Sequence, residues 1–148
     1  MNINFRIIPT KEILTILPLL KKANTKTPHD ILKERVLEMA NYPTYECIGL
    51  FDADLLIGIT GLWYSTRHYI GKSVEPDHVF IDETYRGKNL GKQFFNWIYD
   101  YTKQKGCEVM ELNTYTGNRK SHKFYYNEGF EIYGFHFIKV MRENQKFY

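Results

Sequence analysis

Eight consecutive residues, Tyr85-Arg86-Gly87-Lys88-Asn89-Leu90-Gly91-Lys92, gather two glycines, an asparagine and three cations directly after the apolar run Val79-Phe80-Ile81. That combination suits an anion. A strand that turns at once into a helix presents unpaired N–H groups and the positive end of the helix dipole, and phosphate is a common occupant of such a site. Gly87 and Gly91 permit close backbone approach and positive φ, and Asn89 is the non-glycine type that best tolerates the left-handed region. The same residues would also make a glycine-rich turn with solvated cations, and spacing alone does not choose between the two.

A loop of this kind needs a strand before it and a helix after it. His78-Val79-Phe80-Ile81 reads as the strand, while Leu90, Phe94, Trp97, Ile98 and Tyr101 share one helical face that Gly106 closes. Upstream, Ile3 to Ile8 alternates and stops at Pro9, as a first strand would. Ile13, Ile16, Leu17 and Leu20 recur at helical spacing, with Pro18 placed to kink or divide the run. Thr27-Pro28-His29-Asp30 has the form of a helix start, with Thr27 as capping hydroxyl and Leu32, Val36, Met39 and Ala40 as the buried stripe. The segments from Tyr45 and from Leu55 flank a turn at Asp52-Ala53-Asp54 and predict a hairpin. Glu108 to Asn113 predicts a strand, Ser121 to Asn127 a short helix closed by Gly129, and Phe130 to Met141 one or two final strands. The stretch from Val79 to Leu112 is then a right-handed crossover between parallel strands, its helix start at the carboxyl edge of the sheet.

The chain has 148 residues, the size of one domain spanning 1–148. An apolar fraction of 43% with 25% charged residues excludes a disordered or fibrous chain. A net charge of +3, scattered outside the loop, points away from nucleic acid. Cys47 and Cys107 lie far apart without metal-ligand spacing, so free thiols in a reducing compartment and no metal are expected. No leader pattern or membrane-length apolar run is present, which predicts a cytoplasmic protein with no membrane partner.

A second block, Asn118-Arg119-Lys120-Ser121-His122-Lys123-Phe124-Tyr125-Tyr126-Asn127-Glu128-Gly129-Phe130, joins the first in carrying a family resemblance. Together they resemble the GNAT superfamily of acyl-CoA N-acyltransferases. Its loop signature is an arginine or glutamine, two residues, a glycine, one residue, then glycine or alanine. Arg86 and Gly91 match; Asn89 replaces the middle glycine. The later block is similar to the family's Asn, small residue, Phe-Tyr and Gly-Phe pattern, with Ser121 where alanine is commoner. The resemblance covers essentially the whole chain in element order.

The resemblance implies an α/β (α+β) fold: a mixed, largely antiparallel central sheet splayed between strands 4 and 5, with helices on both faces. It implies acetyl-CoA as cosubstrate, its pantetheine paired with the backbone of Val79, Phe80 and Ile81. The pyrophosphate would lie on Arg86, Gly87, Lys88, Asn89, Leu90, Gly91 and Lys92, with Asn118 and Lys123 as further contacts. The implied activity is transfer of the acetyl group to a primary amine by direct attack, with Tyr125 as proton donor to the thiolate. Glu75, Asp77 and His78 are the candidate bases, Glu75 favoured by its spacing before Arg86 and His78 by its solution pKa. Trp63, Tyr64, Tyr69, Phe135, His136 and Phe137 are candidates for an acceptor pocket, with Arg67, His68, Glu46 and Asp77 for its charge. The C-terminal pattern also looks similar to small-amine members, including aminoalkylphosphonate N-acetyltransferases. A small-molecule amine is therefore the expected acceptor, and the reading leaves room for a homodimer. The alternatives are a protein or peptide N-acetyltransferase and a non-catalytic acyl-CoA-binding regulatory module.

Overall fold

Pro9, with no N–H and a fixed φ, ends strand β1 (Ile3–Ile8) and leads into a 3-10 helix at Thr10–Ile16. The chain's computed structural model describes all residues from Met1 to Tyr148. Pro18 divides the apolar run as expected: it lies in the first turn of α1 (Leu17–Ala23), where a missing donor costs nothing. α2 (His29–Ala40) buries Leu32 and Val36, with Met39 and Ala40 packed beside them. Thr27 does not cap it. Its buried hydroxyl accepts from Asn24 Nδ2 at 3.0 Å, and Pro28 is the last residue before the helix.

The expected hairpin is β2 (Tyr45–Asp52) and β3 (Leu55–Arg67), and it continues into β4 (Gly71–Ile81), which begins well before the apolar residues that announced it. α3 (Leu90–Gln104) crosses to β5 (Val109–Met110). The strands lie in the order β1-β2-β3-β4-β5, all antiparallel neighbours except the parallel β4-β5 pair. One face carries Ile13, Ile16, Leu20, Leu32 and Val36 against Tyr45, Cys47 and Ile59. The other carries Leu90, Phe94 and Ile98 of α3 against Ile48, Leu50, Leu62 and Val74. Ile57 and Ile59 fall on opposite faces because a register shift beside Leu50 and Phe51 leaves Ile57 as an extra residue in β3.

Residues 1–111 and 112–148 form two compact units. In the second, α4 (Arg119–Asn127) starts before Ser121 because Asn118 Oδ1 accepts from the Ser121 N–H at 3.3 Å. Gly129, at φ +91°, reverses the chain. The strands expected at Phe130 to Met141 are absent: a strand needs a ladder partner, and residues 134–141 make no backbone hydrogen bond within the chain.

Candidate active site

β4 pairs with β3 along nearly its whole length but with β5 only at Ser73 and Val74, after which Glu111 N–H donates to Val74 O at 3.0 Å. Pro76 explains the stop. Lys72 and Val74 direct their carbonyls toward β5, so the next residue facing that edge is Pro76, which has no donor. From there to Ile81 the edge of β4 is open toward β5, and the sheet is splayed as expected.

A bulge then re-aims the strand. Ile59 pairs with Phe80 but Gly61 with Asp77, which leaves one extra residue at His78-Val79, and His78 takes φ +39°. Beyond it Asp82 N–H donates to Ile57 O at 2.8 Å, so Phe80 and Asp82 turn their backbone groups toward β3. Val79 and Ile81 therefore direct theirs to the open edge. Arg86 Nε–H donates to Ile81 O on that edge at 3.2 Å, which ties the loop back to the strand end.

The loop itself runs through a 3-10 turn at Glu83–Tyr85, held by Asp82, whose Oδ1 accepts from Thr84 N–H at 3.0 Å. Lys22 at 2.6 Å, with help from Thr84, holds the Asp82 carboxyl down to about 2. Gly87 (φ +77°) and Asn89 (φ +58°, ψ 19°) are both left-handed, so Asn89 does what the usual glycine would do. Gly91 does not: the reversal is complete by Asn89, and Gly91 already sits in the first turn of α3. The first backbone bond of that helix is Gln93 N–H to Asn89 O at 3.2 Å, and the amides from Gly87 to Lys92 have no backbone acceptor. A Cβ at Gly87 would meet nothing within 4 Å. Six successive donors beside Arg86, Lys88 and Lys92 in open space make a cradle for a polyanion.

The bulge also places Asp77 and His78 together on the face shared by Tyr45, Gly61, Trp63 and Glu75, the last paired in register with Trp63. Trp63 Nε1–H donates to Asp77 at 3.3 Å, and the His78 N–H donates to Asp77 Oδ1 at 2.8 Å. The His78 ring covers Gly61, where any Cβ would stand 2.5 Å from Nε2, and that nitrogen lies 2.8 Å from the Tyr45 hydroxyl. Part of His78 remains accessible, yet Nδ1 is shut away from solvent without a partner. Burial lowers the imidazole pKa, against the opposing pull of Asp77, so the ring is neutral near pH 7. Tyr45 is pushed up strongly by its own burial and stays a phenol. Sequence reasoning missed Tyr45. Only the register across β2, β3 and β4 connects it to His78.

Other expected pocket residues serve the framework. Tyr64 faces away from Trp63 and donates to Glu46 at 2.7 Å, where Tyr101 (3.0 Å) and Lys105 (2.7 Å) also converge. Burial alone would raise the Glu46 carboxyl, but the bonds from Lys105, Tyr64 and Tyr101 outweigh it and hold it low. Arg67 pairs with Glu111 at 2.8 Å, and Tyr69 stands exposed beside His68. In the second unit, Tyr125 packs between Phe124 and Phe130, both rings at 5.6 Å, and burial raises its hydroxyl pKa. Tyr126 is turned to solvent, and Lys123 is exposed.

A model of the acetyltransferase (GNAT) family matches residues 14–130. The chain belongs to that family. Among curated proteins, an aminoalkylphosphonate N-acetyltransferase from Salmonella typhimurium is 36% identical over 56 residues. That match spans 38% of this chain and 36% of the relative's length. The solved structure of AAC(6')-Iy with a CoA-containing bisubstrate analogue superposes with a TM-score of 0.80 at 18% identity, over 96% of this chain and 99% of that one. The ribosomal-protein-alanine N-acetyltransferase of Brucella melitensis gives 0.78 at 16% identity, over 93% and 99%. At these identities the likeness is one of fold. This GNAT chain thus has the mixed sheet with parallel β4-β5 pairing and helices on both faces.

Proposed function

We propose that the protein is an N-acetyltransferase that moves the acetyl group of acetyl-CoA to a primary amine of a small molecule. The observation that carries this reading is the run of unpaired amides from Gly87 to Lys92 at the end of a splayed, bulged strand in a GNAT chain. The residues present fit the cosubstrate. The backbone of Val79, Phe80 and Ile81 offers an edge to the amide groups of its arm, and Arg86 through Lys92 a cradle for its pyrophosphate. Asn118 and Lys123 add polar contacts. Bound acetyl-CoA supplies the thioester.

The chain's own residues then manage protons and position. The amine must be neutral when it attacks, so a group near the open edge takes up its proton. Glu75, Asp77 and His78 share that face. Support for His78 comes from its burial, which keeps the ring neutral, and from its unpartnered Nδ1. In this reading the His78 Nε2–H donates to the Tyr45 oxygen 2.8 Å away, the tautomer that leaves the lone pair on Nδ1. Tyr125, a phenol kept protonated by burial, is the donor to the departing thiolate.

The partial match to an aminoalkylphosphonate enzyme favours a small acceptor. The test is thiol release from acetyl-CoA over polyamines, aminoalkylphosphonates, amino acids, aminoglycosides and a peptide with N-terminal alanine. Turnover on a small amine, lowered at least about tenfold in kcat by Tyr125→Phe, is expected. Turnover on the peptide alone would make it a protein N-acetyltransferase. CoA binding with no turnover on any acceptor would leave a binding module.

A further inference from the structure

The sheet face that holds His78 also carries a strip of aromatic rings with a carboxylate at each end. Trp63 stands in register between Tyr45 of β2 and Glu75 of β4, half-buried. Its ring meets those of Tyr45 (centroids 4.8 Å apart) and Tyr42 (5.8 Å) at tilted angles, and Tyr42 is 48% exposed. At one end the Trp63 Nε1–H donates to Asp77 Oδ2 at 3.3 Å. At the other the Tyr42 hydroxyl donates to Glu38 of α2 at 3.4 Å.

Asp77 is exposed, and both of its donors are neutral: Trp63 Nε1–H and the N–H of His78, which reaches Oδ1 at 2.8 Å. No cation of the chain pairs with it. Arg67, which strand alternation puts on the same face as Trp63, is engaged by Glu111 at 2.8 Å, and Lys22 of α1 by Asp82 at 2.6 Å. Beside Asp77, Nδ1 of His78 is closed off from solvent without a partner, a second polar group left for a bound molecule to satisfy. An anionic acceptor would meet carboxylate where it needs donors. An alkyl cation would find aromatic faces for its methylenes and its charge, and an unpaired carboxylate beside them.

We propose that the acceptor is a linear alkyl di- or polyamine, whose second, still charged ammonium lies against Trp63 and Asp77 while its neutral amine reacts beside His78. The inference rests on the N-acetyltransferase reading above and adds the chemistry of its acceptor. In the transfer the N–C bond forms as the C–S bond breaks, His78 takes the amine's proton, Tyr125 returns one to the sulfur, and the second ammonium keeps its charge throughout. With His78 on the proton path, Asp77 sets specificity by selecting positive charge at the far end of the acceptor. That is the opposite charge from the phosphonate of the partly matching Salmonella enzyme's substrate.

Initial rates of thiol release with putrescine, spermidine, butylamine and an aminoalkylphosphonate test it, with circular dichroism to show that each variant is folded. Wild type should prefer putrescine to butylamine, which lacks the second charge, by about tenfold or more in kcat/KM. Asp77→Asn should lower that preference about fivefold, and Trp63→Leu likewise, with the loss falling on KM for the diamine. The ratio compares two substrates on one variant, so a general loss of folded enzyme cancels from it. A loss shared equally by both amines would put Asp77 on the proton path and overturn the assignment. So would a wild type that turns over butylamine or the phosphonate as well as the diamines; either result leaves the acetyltransferase reading standing. No turnover on any amine would sink both.

Discussion

The Tyr45 hydroxyl lies 2.8 Å from Nε2 of His78, on the one residue that the β4 bulge forces to φ +39°. Tyr45 thereby fixes the ring of a histidine whose other nitrogen is left without a partner. Tyr45→Phe removes that anchor with little loss of volume. We expect kcat to fall about five- to tenfold with the low-pH limb of the kcat/KM profile displaced, and His78→Gln to cost about a hundredfold or more. Unchanged profiles in both variants would remove His78 from the proton path and return the role to Glu75 or Asp77.

The same histidine makes stability depend on pH. Its folded pKa is lowered below the ordinary 6.5, mainly by burial. The unfolded chain therefore binds the proton more readily, so this group's contribution is complete above about pH 6.5 and is lost as pH falls through the folded value. Thermal melts from about pH 7.5 to about pH 5.5 should show wild type losing Tm more steeply than His78→Gln. Parallel curves would contradict the buried neutral ring.

Asn89 holds a left-handed conformation at φ +58° in the anion cradle. Asn89→Gly keeps that conformation accessible and should leave CoA affinity within about threefold, whereas Asn89→Val adds about 1–2 kcal/mol of backbone strain and should weaken it about tenfold or more. Calorimetric titration with CoA separates them. Equal affinities would show that the loop does not need the left-handed turn.

Glu46 accepts from Tyr64, Tyr101 and Lys105 and joins β2 to the end of α3. Glu46→Gln loses the charge that holds three donors and should cost about 1–2 kcal/mol, a few degrees in Tm, allowing for the partial exposure of the pair. Because its folded pKa lies below 4.5, that stabilisation is present above about pH 4.5 and disappears as pH falls through the folded value. The variant should therefore lose less Tm than wild type on acidification, which melts taken from about pH 6 down to about pH 3 would reveal.

What the sequence made legible follows from how local each signal is. Alternation and proline punctuation fix β1, and the 3.6-residue period with Gly106 fixes α3, because those choices are made within a few residues. Asn89 could be read as left-handed for the same reason. The first half of β4 was hidden, since Lys72, Glu75 and Pro76 carry no strand pattern and are held by pairing with β3. The bulge at His78 was hidden more deeply. It needs Gly61 for space and Tyr45 as partner, on two other strands, and no window around His78 contains either. At Phe130 to Met141 the alternation was present without the ladder, because composition specifies a strand but a second backbone must complete it.

Pro76 ends the pairing of β4 with β5 and leaves the bulged strand with Val79 and Ile81 facing an unclaimed edge. Such an edge is adhesive toward any extended chain, and a molecule that lies along it acts as a shield as well as a reactant. Binding to the folded chain alone also draws the population toward the native state by mass action. In a cell, the lifetime of this protein and its escape from aggregation and degradation would then rise and fall with the supply of whatever fills that edge. Depletion of that metabolite would remove the protein itself, beyond slowing its turnover.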